Sequence, residues 1–370
     1  LQRGGLGLRS IADNLDAAFV ASAALVCGQV SQVTGVPFPS PDARCALQQE
    51  VAAAEARLVE QELAPAVDWV LAAHSPSPRW QAGPASRRAQ ARFAELLQAL
   101  PEADRPALLS SGGVGAQWLN VVPSEPLLEF PDEELRMALR WRLGLPLCEP
   151  GPCLRATQEG VCNGWRDAYG IHDSICPCGA GPTKRHDGVC TAHTQLANEL
   201  TGISVQWKEP VRQWARVQPG QPDLAFRGLP ASRLTYADVV CTLAAAHARS
   251  AVTAGVGAAL WEVWKCTRYP VVDEAGRRCV PFDFVPLAFE LHGRFGESAR
   301  AFAQRLAWAR SQMLGTVFAA DVARAYGVIS VSLMRHQACL LLGAPMPGQR
   351  RAPFSRRGGV SDLPLAGGLR

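Results

Sequence analysis

Four residues between positions 153 and 176 constrain this chain more than anything else in it. Cys153, Cys162, His172 and Cys176 run as C-x8-C-x9-H-x3-C. Thiolate and imidazole are the side chains that hold a tetrahedral structural Zn²⁺, and the H-x3-C half has ordinary ligand spacing. Gly170 permits a tight turn beside it. A loop of this length without a core of its own gains its order from a bound ion. Two alternates stay open. Cys178 lets the register slide from Cys176, and His186-x3-Cys190 has the same spacing inside a stretch that reads as helix.

The 370 residues leave room for two or three domains. After Gly343 come Arg350, Arg351, Arg356, Arg357 and Arg370 against Asp362, which accounts for the whole net charge of +4. That end (344–370) reads as a disordered basic tail. The remaining body is close to neutral, which argues against strong nonspecific phosphate binding but leaves a local basic groove open. The twelve cysteines are scattered. Cys27, Cys241, Cys266 and Cys339 sit in apolar context, as buried thiols do, and the expected compartment is reducing and intracellular. The run from Ala17 to Gly28 reads as a buried helix. Asp13 and Asp16 precede it where a signal peptide would be basic, and no run approaches the roughly 20 residues a bilayer span needs. A start at Leu1 reads as a start within a longer protein.

Apolar periodicity makes the first part wholly helical. Helices are expected over 11–32, over 42–74 with a kink or break at Pro65, over 87–100 and over 132–144. Pro37, Pro39 and Pro41 break the chain, and 75–86 reads as a linker. From Lys184 the pattern alternates. A helix at 185–200 precedes strands at 203–207, 222–226 and 234–243. A helix at 249–267, a strand at 284–291 and helices at 297–314 and 317–342 follow. The strand from Val285 to Glu290 is apolar enough to be central and buried. Gly255 and Gly257 read as close packing. The fold class is α+β: a helical region (1–147), a metal knuckle (148–183), and a mixed sheet with flanking helices (184–343).

Two acids and a lysine stand in that last part. Asp223 opens one strand and Asp238 lies within the next, so adjacent strands can bring both carboxylates to one divalent cation. Phosphodiester hydrolysis uses such a cation, Mg²⁺, together with a positive group near the developing charge. The lysine of this arrangement ordinarily sits two residues after the second acid, where this chain has Val240. Lys265 on the following helix can enter the same space, and Glu209 is a candidate third acid. The competing reading is a surface salt bridge between Glu262 and Lys265 beside ordinary strand acids. Tyr236-Ala237-Asp238-Val239 is not a polymerase box, because its second acid is missing.

In order along the chain come Gly4-Gly5-Leu6-Gly7-Leu8-Arg9-Ser10, Arg140-Trp141-Arg142-Leu143-Gly144-Leu145-Pro146-Leu147, Asp167-Ala168-Tyr169-Gly170-Ile171-His172, and Lys184-Arg185-His186-Asp187. Then follow Pro222-Asp223-Leu224, Ala237-Asp238-Val239-Val240, Lys265 with Tyr269, and Val285 to Glu290 with Gly293-Arg294-Phe295-Gly296. Together these resemble the C-terminal region of polyproteins from non-LTR retrotransposons with a restriction-like endonuclease. The resemblance implies a zinc knuckle followed by a PD-(D/E)xK-type nuclease that nicks target DNA to prime reverse transcription. Its partners would be target DNA and element RNA, and its site of action the nucleus. It also implies a lysine displaced onto the helix, as Lys265 would be. Trp261 and Trp264 depart from it, standing where small or charged residues are commoner. Two functions from different classes are therefore expected: a Mg²⁺-dependent endonuclease, or a catalytically silent nucleic-acid-binding or structural remnant.

Overall fold

The structure, a computed structural model, describes residues 11–35, 46–75, 80–157, 160–211, 221–230, 232, 234–271 and 280–343. The glycine-rich start, the three early prolines and the basic tail lie outside the described residues.

Four helices come first: α1 (Ile11–Thr34), α2 (Ala46–Glu60), α3 (Trp69–His74) and α4 (Ala82–Ala99). The chain breaks between α2 and α3, around Pro65. Helix α4 begins inside the stretch expected as linker, because Pro84 falls in its first turn, where no intrahelical N–H is needed. Val20, Cys27, Ala54 and Leu58 close an apolar cluster among α1–α3. Gly28 lets α3 approach, since a Cβ there would lie 2.3 Å from the Ala73 carbonyl oxygen.

Next come α5 (Arg105–Ser110), 3-10 turns at 113–119 and 126–128, and α6 (Asp132–Arg142). The sequence joins these to the first four helices, but their packing lies elsewhere. Trp118, Ala138 and Trp141 share a core with Leu243, Leu291, Val331 and Met334 from the C-terminal part. Fully buried Glu134 on α6 accepts from Arg335 at 2.9 Å.

The knuckle is two small antiparallel pairs, β1 (Gly151–Pro152) with β4 (Trp165–Arg166) and β2 (Ala156–Thr157) with β3 (Gly160–Val161), followed by α7 (Ile171–Ile175). Then follow α8 (Gly181–Asn198), β5 (Ser204–Trp207), β6 (Leu224–Arg227), β7 (Leu234–Thr242), α9 (Val256–Arg268), β8 (Asp283–Glu290), α10 (Glu297–Leu314) and α11 (Phe318–Leu342). The sheet order is β5-β6-β7-β8. The first two pairings are antiparallel and β7–β8 is parallel, with α9 as the crossover.

Alternation along the strands sorts the two faces. Leu224, Phe226, Ala237, Val239, Leu287 and Phe289 pack against α8, α10 and α11. Ala225 and Tyr236 face the other way, with Tyr269 and Phe282. The molecule is thus α+β, as expected.

Two expectations need correction. Strand β8 is buried but is an edge of the described sheet, not a central strand. Its free side is covered by the chain's own return, Gly296 N–H donating to Ala288 O and Glu290 N–H to Arg294 O, both at 2.8 Å. That placement suits Pro286, which has no N–H to donate to a second neighbour. The stretches Asn14–Val33 and Phe318–Leu342 do reach the length and hydropathy of a membrane span, with 78% of the second buried inside the protein. Single apolar runs understate such helices because isolated polar residues interrupt them.

Candidate functional site

The first cluster is the knuckle. Sγ of Cys153 lies 3.8 Å from Sγ of Cys176, which lies 3.7 Å from Sγ of Cys162, and that sulfur lies 3.6 Å from Nε2 of His172. Metal bonds of about 2.3 Å to sulfur and about 2.0 Å to nitrogen at tetrahedral angles require edges of roughly 3.8 Å between sulfurs and roughly 3.5 Å from sulfur to nitrogen. All four ligand atoms lie within 4.8 Å of one another, so one metal ion can be held by three thiolates and an imidazole. The set that closes contains Cys176 rather than Cys178.

Local sequence builds this cage. Gly170, at φ +74°, turns the chain into α7. The Asp167 carboxylate then caps that helix, accepting from the N–H groups of Tyr169, Ile171 and His172 at 2.8, 3.1 and 2.8 Å. Gly164 donates its N–H to Cys162 Sγ at 3.4 Å, and this bond holds the Cys162 thiol below its usual range. A side chain at 164 would strike the His172 ring, 2.2 Å from where its Cβ would sit. Burial pushes the Cys176 thiol up to about 11. A cation is what would release its proton.

The knuckle is bolted to the sheet unit. Buried Asp173 pairs with Arg166 at 3.0 Å and Arg155 at 3.3 Å, and Arg155 also donates to Leu340 O at 2.9 Å. Arg185 on α8 donates to Ser174 O at 2.9 Å and to Gln337 Oε1 at 2.7 Å. Gln337 in turn donates to Ser174 Oγ at 2.7 Å. Ser174 lies between the ligands His172 and Cys176.

The second cluster is an acidic cleft. The register Leu224↔Ala237 sets Asp223, just before β6, opposite Asp238 on β7. The two carboxyl groups lie close enough that each shifts the other's titration. Lys265 reaches in from α9 and donates to Asp238 Oδ2 at 2.6 Å. Asp223 Oδ2 accepts from Val239 N–H at 2.8 Å and lies 2.9 Å from His186 Nε2. The sequence-predicted trio Asp223, Asp238 and Lys265 therefore converges.

Electrostatics separates the two acids. Burial, joined by the contact with Asp223, pushes Asp238 up to about 7 against the pull of Lys265. Burial also disfavours the charge on Asp223, but hydrogen bonds from His186, Asp238 and Val239 outweigh it and hold Asp223 low. His186 shows the mirror image. Burial lowers it, the bond to Asp223 outweighs that, and it ends above its usual value.

The spacing makes His186 an alternate zinc ligand, but in the fold it belongs to the acidic cleft instead. Cys190 comes with it, and His186, Cys190 and Asp223 offer ligand atoms within 4.8 Å of one another. Nothing in the linear spacing signals this, because 37 residues separate His186 from Asp223. Glu209 does not join the acids. Its oxygens are taken by Arg227, at 2.6 and 2.7 Å, and by the Tyr236 hydroxyl at 3.0 Å. The Glu262–Lys265 surface pair does not form either: Glu262 is buried and accepts from Ser298 N–H at 2.9 Å. Gly257 is close packing as expected, donating its N–H to Glu290 at 2.9 Å, whereas Gly255, at φ +83°, lies just outside α9 as its cap.

No family model matches this chain, and no curated protein is similar to it.

Proposed function

We propose that this chain is the C-terminal part of a retrotransposon polyprotein and acts as a Mg²⁺-dependent DNA endonuclease that nicks target DNA. The observation that carries the reading is the placement of Asp223 opposite Asp238 across adjacent strands, with Lys265 bonded to Asp238. The element order around it supports the same reading: a helix, a three-strand meander, a crossover helix and a parallel strand, the arrangement of a restriction-like nuclease core.

The residues suit a divalent cation. Two neighbouring, largely buried carboxyl groups cannot both ionise cheaply, and burial together with Asp223 pushes Asp238 up to about 7. When bound, Mg²⁺ would polarise the scissile phosphate and lower the pKa of an attacking water. Asp223 and Asp238 would hold it. Val239 N–H and His186 fix the orientation of Asp223. Lys265, on Asp238, would supply a point charge and a donor beside the phosphate. In the knuckle, Cys153, Cys162, His172 and Cys176 would hold Zn²⁺, which suits thiolate and imidazole and leaves no open position for chemistry. DNA is the substrate partner, element RNA a second one, and the nucleus the place of action.

Conversion of supercoiled plasmid to open circle tests this. Nicking is expected with Mg²⁺ and none with EDTA. Equal conversion by wild type and Asp238→Asn would sink the proposal and leave the catalytically silent remnant.

A further inference from the structure

One ligand-like spacing is used neither by the knuckle nor by the paired acids of the cleft. His186-x3-Cys190 repeats the H-x3-C of the knuckle ligands His172 and Cys176, one helix later. On α8 a separation of four places the two side chains on one face. Cys190 Sγ lies 3.9 Å from His186 Nδ1. The fold brings a third ligand from the sheet, since Asp223 Oδ2 lies 2.9 Å from His186 Nε2. One ligand atom from each of the three lies within 4.8 Å of the others. The imidazole is also held from behind. Its Nδ1 faces Asp187 Oδ1 at 3.1 Å, which leaves Nε2 for an ion. A carboxylate on the far nitrogen is what fixes the tautomer and ring direction of histidines that bind metal. The His186 and Asp223 side chains keep 23% and 14% exposure, so the site opens to solvent, whereas Cys190 is closed in.

We propose that His186, Cys190 and Asp223 bind a divalent cation of the zinc class, with the fourth position open to water. A thiolate, an imidazole and one carboxylate are a softer set than Mg²⁺ accepts, and they suit Zn²⁺ or Co²⁺. Tetrahedral bonds to these atoms need edges of roughly 3.3–3.6 Å. Reaching them from separations within 4.8 Å asks for about an ångström of side-chain movement. In the metal-free protein a proton bridges Nε2 and the Asp223 carboxylate. The ion takes its place, and that proton and the Cys190 thiol proton pass to solvent. Three ligands hold an ion less tightly than the four of the knuckle. The dialysed protein therefore keeps zinc in the knuckle and takes the second ion only when metal is supplied. Asp223 is shared with the pair proposed for Mg²⁺, but the site does not depend on that reading. The competing account is a plain hydrogen bond from His186 to Asp223 beside an inert core thiol, and it predicts no bond between sulfur and metal.

The test titrates Co²⁺ into dialysed protein whose knuckle is filled with Zn²⁺. Cobalt bound to thiolate shows a sulfur-to-metal charge-transfer band in the near ultraviolet. Wild type should take up Co²⁺, show the band and release no zinc. Cys190→Ala should lose the band and bind Co²⁺ more than about tenfold more weakly, with its knuckle zinc unchanged. Asp187→Asn, altered at the surface, should keep the band and weaken Co²⁺ by roughly tenfold, the scale of an outer carboxylate. No band in wild type, a band that appears only as zinc is released, or a band undiminished in Cys190→Ala overturns the inference. Should Cys190→Ala fail to fold, an unchanged Co²⁺ affinity in Asp187→Asn does the same. No DNA enters these measurements. Plasmid left intact while the band is present removes the nuclease reading alone, and nicking without the band removes the new site alone.

Discussion

The Cys3His knuckle and the acidic cleft are both clusters of metal-ligating side chains, and they are built on opposite plans. The knuckle has four ligand atoms at tetrahedral edges and a closed shell of hydrogen bonds behind them. The cleft has two carboxyl groups already partnered within the protein, Asp238 by the Lys265 ammonium and Asp223 by the His186 imidazole. The first is a set of like ligands, reactive or repulsive without an ion, so an ion completes it. The second is nearly self-neutralised, so an ion must compete for it. On the proposed nuclease reading, such a site would exchange its cation readily, as catalysis requires and scaffolding does not. Between the two runs a short path. Ser174, inside the knuckle, takes a bond from Arg185, and the next residue, His186, holds Asp223.

The largest expected difference lies in folding. Structural Zn²⁺ contributes on the order of 10 kcal/mol to small metal-dependent folds. Cys162→Ser should lower bound zinc well below one equivalent and open the 150–178 segment to protease, while far-UV dichroism from α8–α11 changes little. Full zinc occupancy in that variant would mean that Cys178 replaces the lost ligand, and that the cage is less closed than its geometry implies.

The next effect is on rate alone. If the proposed nuclease reading holds, Asp238→Asn removes a cation ligand and no phosphate contact, so nicking should fall by roughly 10³-fold or more, the scale of several kcal/mol of lost transition-state stabilisation. DNA affinity should change little. Filter binding beside plasmid nicking checks both halves. A comparable loss of affinity would make Asp238 a structural residue.

Arg185 tests the path between the clusters. It is buried, and its bonds go to the knuckle and to Gln337 on α11. Arg185→Met should cost about 2–4 kcal/mol in stability, since buried acceptors lose their donor. It should leave zinc content at one equivalent yet weaken Mn²⁺ binding at the cleft several-fold, read by paramagnetic relaxation. Unchanged Mn²⁺ affinity would show the two clusters to be independent.

How much of this was legible beforehand divides along the same line. The knuckle is readable because its ligands lie within 24 residues and ligand spacing is a local property; the capping by Asp167 and the close approach at Gly164 that build it depend on the folded turn and leave no spacing signal. Asp223 and Asp238 were readable as adjacent-strand acids, since pairing register follows from alternation. Lys265 needed the crossover helix, and His186 needed α8 to pack back across the sheet, which no spacing reports. Glu209 failed because nearness to a strand end says nothing about which neighbour claims a carboxylate; here Arg227 and Tyr236 do. Strand β8 failed because apolar runs report burial on both faces, and a covered edge achieves that as well as a central place.

The smallest effect is the pH dependence of the metal-free protein, and its sign distinguishes the cleft from an ordinary ion pair. An ordinary paired carboxylate has a depressed pKa and contributes stability that is lost as pH falls. Asp238 does the reverse. Its folded value is raised from 3.8 to about 7, so the folded state keeps a proton that the unfolded chain has already released. The stabilisation is complete below about 4 and disappears as pH rises to about 7. His186, raised above 6.5, adds a second decline beginning where the first ends. Asp223 acts in a separate acid window, below its unfolded 3.8. In EDTA, wild type should therefore lose melting temperature between pH 4 and 7 relative to Asp238→Asn, which lacks that proton. Excess Mg²⁺ should oppose this loss, because the cation binds the deprotonated pair and its gain grows with pH over the same interval. Parallel melting curves for wild type and Asp238→Asn across that interval would mean that Lys265 alone sets the charge of Asp238, and that the cleft is a closed salt bridge rather than an open cation site.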